Sequence, residues 1–107
     1  MNLKESNGLL ILIAYNYSRS LYFEKRYEDS IDIANLGLET SIKERCSSYL
    51  GGFLSVLGHA FYAEGRLEES KKYFYQSFYI YTVLRDDINI KLAKENLKEF
   101  FNIDVSF

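Results

Sequence analysis

The sequence predicts an all-α protein: two helical hairpins with a period of about 40 residues and a C-terminal capping helix, stacked as an α–α superhelix. Three observations carry this. The 107 residues contain no proline, so nothing interrupts long helices or enforces frequent turns. Apolar residues recur at helical rather than alternating spacing. The chain also matches itself without gaps at a constant offset of 40, the mark of a repeat architecture.

Leu10, Ala14, Tyr17 and Leu21 fall at i, i+4, i+7 and i+11, one face of a first helix. The polar break Glu24-Lys25-Arg26 ends it, and Ile31, Ala34 and Leu38 mark a second helix. Forty residues on, Leu50, Leu54, Leu57 and Phe61 repeat the first stripe. Glu64-Gly65-Arg66 repeats the break, with Gly65 suited to the left-handed residue that ends a helix. Tyr73, Phe74, Phe78 and Tyr81 follow on a fourth helix. Between the copies, Ser41-Ile42-Lys43-Glu44 has the form of a capping box, so a helix start is expected there. Asp86 or Asp87 can cap a fifth helix carrying Ile90, Ala93, Leu97 and Phe101. The expected units are about 9–40, about 42–84 and about 87–102, within one domain.

Under the offset, large residues meet large and small meet small. Tyr17 aligns with Leu57, Ser18 with Gly58, Leu21 with Phe61, Tyr27 with Leu67 and Ser30 with Ser70; Ala34 against Phe74 is the main departure. The second copy, with Leu57-Gly58, Phe61, Gly65, Leu67, Ser70, Phe74 and Ser77, resembles a tetratricopeptide repeat. The first is a degenerate version, with Ser18, Lys25 and Ala34 at the family's small, glycine and aromatic positions. A 40-residue period rich in aromatics, across roughly residues 10–101, is similar to the repeats of bacterial peptide receptors of the Rap and PlcR types and of phage arbitrium receptors. That resemblance implies a superhelix whose inner helices bind a short peptide, with asparagines holding the peptide backbone. It also implies a protein- or peptide-binding role, as a regulator or a fragment of a peptide-sensing regulator.

In such a stack the first helix of each hairpin lines the concave side. The candidate binding residues are Tyr15, Asn16, Arg19 and Tyr22, then Ser55, Val56, His59 and Tyr62, then Glu95, Asn96, Glu99 and Asn102. Asn16 and Asn96 stand two periods apart, and an amide offers both a donor and an acceptor to a peptide backbone. Arg19 suits a carboxylate. Two readings of these positions stand side by side: contacts to a ligand, or ordinary solvated helix residues.

Composition excludes other classes. Thirteen basic and fifteen acidic residues leave a net charge of −2, without the basic footprint of direct nucleic-acid binding. Cys46 stands alone, which forbids an internal disulfide and suits the cytoplasm. The apolar run Leu9–Tyr15 is too short to span a bilayer, and no signal-cleavage pattern follows it. His59 is the only histidine, so no metal site or other cofactor is expected. No Gly-x-Ser-x-Gly elbow is present, and Gly51-Gly52 leads into Phe53-Leu54 rather than a phosphate-loop lysine. A non-enzymatic binding module is expected. The alternative is a self-associating adaptor, a two-fold dimer joined through apolar ends, with the tail Phe100 to Phe107 as the sticky end.

Overall fold

The computed structural model describes the backbone of residues 3–105 and the side chains of residues 7–105. Five helices follow in order: α1 (Leu3–Phe23), α2 (Tyr27–Lys43), α3 (Leu50–Ala63), α4 (Leu67–Val83) and α5 (Asp87–Phe101). No strand occurs among the described residues. Each helix packs on the next in sequence, and α1 also touches α3. The fold is thus a row of hairpins.

Four of the five helices end in the same way. Lys25, Arg45, Gly65 and Arg85, twenty residues apart, all take positive φ, between 55° and 78°. At each the next amide reaches back to a carbonyl five residues earlier: Arg26 to Leu21, Cys46 to Ser41, Arg66 to Phe61 and Asp86 to Tyr81. This is the Schellman closure, which satisfies carbonyls the helix leaves open. Only Gly65 adopts the left-handed conformation without a Cβ penalty. The three basic residues carry that penalty but place positive charge at the negative end of a helix dipole.

The closure at Arg45 corrects the reading of Ser41–Glu44 as a helix start. Ser41 lies buried inside α2, and its hydroxyl has no hydrogen-bond partner among the described residues. The bond from Cys46 N–H to the Ser41 carbonyl closes α2 there, and α3 starts only at Leu50. Asp86 does cap α5, its carboxylate accepting from the Asn89 amide N–H at 3.2 Å.

The 40-residue register is visible as repeated contacts. The Ser30 hydroxyl donates to the Ser18 carbonyl at 2.7 Å, and the Ser70 hydroxyl to the Gly58 carbonyl at 2.7 Å. Arg26 forks onto Asp29 as Arg66 forks onto Glu69, both at the start of a second helix. Neighbouring helices approach through small residues. A Cβ on Gly58 would lie 2.7 Å from the Phe74 ring, and one on Gly37 would collide with Phe53. The positions equivalent to Gly58 and Phe74 hold Ser18 and Ala34; those equivalent to Gly37 and Phe53 hold Ser77 and Ala93. Two helix pairs therefore set glycine against phenylalanine, and the equivalent positions of the other two hold serine and alanine.

Two expectations about burial are corrected. The buried face of α1 is Ile11, Ala14, Ser18 and Leu21, while Leu10 and Tyr17 are 57% and 49% exposed. The stripe is turned about 50° from the expected one, at 100° per residue. The reason is position: α3 is enclosed by α2 and α4, but no described helix precedes α1. The C-terminal tail is also not a free apolar end. Ile103 and Val105 are half-buried against the cluster of Phe74, Phe78, Ala93 and Leu97. Asn102 in the left-handed region turns the chain, and Lys98 pairs with Asp104 at 3.2 Å. Phe107 lies outside the described residues.

Candidate functional site: a concave groove across three helices

A groove of about 500 Å³ runs across α1, α3 and α5, with Ser77 and Tyr81 of α4 beneath it. Its shape follows from the repeat. The first helix of each hairpin faces one way, and small residues at Gly52, Ser77 and Ala93 keep the floor low. Gly51 and Gly52 have a structural role here. A Cβ on Gly52 would stand 2.6 Å from the Tyr15 ring, and one on Gly51 would collide with Tyr81. The two glycines leave room for both tyrosine rings at one end of the groove. Burial, together with neighbouring Tyr15 and Asp86, raises the Tyr81 phenol to about 12, so it stays a protonated donor.

Of the residues singled out in the sequence, the groove brings together Tyr15, Arg19 and Tyr22 of α1, Ser55, Val56 and His59 of α3, and Asn96 and Glu99 of α5. Asn16, Tyr62, Glu95 and Asn102 lie outside it. Asn16 is exposed beside the groove, so its equivalence with Asn96 does not place the two on one surface. Tyr62 leans on Phe100 and Phe101, at centroid distances of 4.7 and 5.7 Å. Asn102 ends α5 in the left-handed region. These departures have two geometric causes. The lining positions run from Tyr15 to Phe23 on α1, and the α5 set, shifted back two periods, runs from position 9 to position 20. The concave face moves toward the helix N-termini from one repeat to the next, as the rotation between units of a solenoid requires. Tyr62 and Asn102 therefore fall past the C-terminal limit of the lining on α3 and α5, whereas Asn16 and Glu95 lie within the span of theirs but on another side of the helix.

The sequence reading missed Gly52, Tyr81, Asn89, Leu92 and Phe100 as lining residues. Tyr81 belongs to a second helix, which the template assigns to the convex side. The Asn89 side chain donates to Asp86 at 2.7 Å and supports the α5 cap from within the groove.

The groove is amphipathic. The His59 ring stands edge-on to Phe74 and Phe100 at 5.0 and 5.3 Å, with Tyr22 at 5.7 Å. Desolvation lowers its pKa, and the nearby Glu99 carboxylate opposes that only in part, so the imidazole is neutral at pH 7. Arg19 lies over the Tyr15 ring at 5.4 Å and has no ion pair among the described residues. Glu99 likewise has none, and neither Ser55 nor the Asn96 amide hydrogen-bonds to another described residue. One cation, one carboxylate, an amide and a hydroxyl thus line an open trough with Val56, Leu92 and Ala93.

No serine among the described residues hydrogen-bonds His59, and no group of three His, Cys, Asp or Glu is placed to hold a metal ion. No described helix is long and apolar enough to cross a membrane. No protein-family model matches the chain, and it matches neither a curated protein nor a solved structure.

Proposed function

We propose that the chain is a non-enzymatic binding module that holds an extended peptide segment in this groove. The observation that carries the reading is the convergence of unpaired polar groups from three helices, Arg19, Ser55, Asn96 and Glu99, over an apolar floor. An extended backbone presents donors and acceptors at regular intervals, and an amide such as Asn96 answers one of each. Apolar peptide side chains fit Val56, Leu92 and the aromatic wall around His59. The resemblance to tetratricopeptide-type peptide receptors supports the same reading and favours a regulatory role.

The test is selection from a displayed random-peptide library, followed by calorimetric titration. Arg19→Ala and Asn96→Ala each remove a polar contact that net stabilises by about 0.5–3 kcal/mol, so affinity falls roughly 2- to 150-fold. Asn16→Ala, off the groove, leaves affinity unchanged. Enrichment of no peptide, or equal affinity in all three variants, overturns the assignment.

A further inference from the structure

The groove uses one side of α1; the opposite side has an unassigned surface. Leu9, Leu10, Ile13 and Tyr17 are about half exposed, at 51%, 57%, 52% and 49%. No charged residue occurs from Asn7 to Ser18. The internal repeat shows what such a surface does in this fold. Leu10, Ile13 and Tyr17 are the 40-residue equivalents of Leu50, Phe53 and Leu57. In α3 those positions are covered, Phe53 and Leu57 fully, with the Phe53 ring seated over Gly37 of α2. On α1 large apolar side chains stand at the same positions, and no described helix covers them.

We infer that this face of α1 pairs with the same face of a second copy, as a two-fold dimer with the two α1 helices antiparallel. Head-to-tail stacking is disfavoured, because the α5 end of the row carries the exposed Lys98–Asp104 pair and a tail whose Ile103 and Val105 already pack on the α4–α5 cluster. The stripe is centred beside Ile13, so a two-fold axis there sets Leu10 of one copy opposite Tyr17 of the other. The four side chains expose roughly 400 Å² per copy, about half of what each partner of an ordinary specific interface buries, and flanking uncharged residues extend it. The α4–α5 turn exposes Val83, Leu84 and Ile88 as well, but Arg85 and Asp87 stand among them, and a charge-free face is the better core for an interface. This pairing leaves the groove open and does not depend on its ligand.

Sedimentation equilibrium of the full chain is expected to give twice the 12.6 kDa protomer mass at micromolar concentration. Ile13→Asp, at an exposed position, is expected to weaken dimerisation at least tenfold, with circular dichroism unchanged. In a Cys46→Ser background, Ile13→Cys cross-links two copies under copper–phenanthroline oxidation, because a residue beside a two-fold axis meets itself; Val83→Cys does not. A monomer at high micromolar concentration overturns the proposal, as does a dimer that survives Ile13→Asp or cross-links equally well through Val83→Cys. A monomer that instead captures a synthetic peptide copying residues 27–43 assigns the face to a helix of another protein and overturns it too.

Discussion

The two hairpins share a register but differ in what surrounds them. In the second, α3 is enclosed between α2 and α4, and nine of its fourteen residues are buried. In the first, α1 is less apolar overall but carries large apolar residues at the positions of Leu50, Phe53 and Leu57, and has α2 and α3 on one side only. The same pattern is core in one place and surface in the other. Burial in a stacked repeat is thus set by neighbours, and composition only permits it. The hairpins also solve one packing problem in two ways: Gly58 beneath Phe74 in the second, Ser18 and Ala34 at the equivalent places in the first.

That exchange can be broken directly. Gly58→Leu forces a side chain into the Phe74 ring and is expected to destabilise by about 1–3 kcal/mol in urea unfolding. Ala34→Phe alone overpacks the first hairpin by a similar amount, about 1–3 kcal/mol. Combined with Ser18→Gly, which converts the pair to the second hairpin's solution, much of that loss is recovered. A double-mutant cycle showing simple additivity would mean that the two sites are not packed against each other as their counterparts are.

A smaller effect sharpens the comparison at the turns. Lys25 and Gly65 occupy the same left-handed position in the two hairpins. Lys25→Gly relieves the Cβ penalty and is expected to stabilise by about 0.5–1 kcal/mol after the added chain entropy of glycine. Gly65→Lys is expected to cost about as much. Equal midpoints for parent and both variants would show that the basic side chain fully offsets the strain through the helix dipole.

The smallest expected effect concerns His59, whose equivalent in the first hairpin is the exposed Arg19. The folded state holds the His59 pKa below the ordinary 6.5 by desolvation. The unfolded chain therefore takes up a proton first as pH falls through 6.5 and below, and stability declines in that window. Above it the contribution is fully present. His59→Gln is expected to flatten the decline, whereas Arg19→Gln leaves it unchanged; parallel profiles for all three proteins would place the titration elsewhere.

Much of this could be read from the residues. The equivalent small residues Ser30 and Ser70, the turn at Gly65 and the shared groove positions Arg19, His59 and Glu99 all follow from a local pattern repeated at a fixed interval. The misplacements occur where interval and surroundings part company. Tyr62 and Asn102 fall outside the groove because the concave face shifts along the helices from repeat to repeat, and Asn16 and Glu95 because they stand on another side of their helices. Ser41 looked like a cap because its local pattern is that of one, yet the closure at Arg45 keeps it inside α2.

Helix number and the order of breaks were determined by sequence alone, because each depends on contacts between residues close along the chain. Which flank of α1 is buried, where Tyr81 projects, and whether Ile103 and Val105 meet water were decided only by the tertiary structure. Those outcomes depend on the rotation between hairpins and on which helix has a neighbour, and both arise from the stack as a whole.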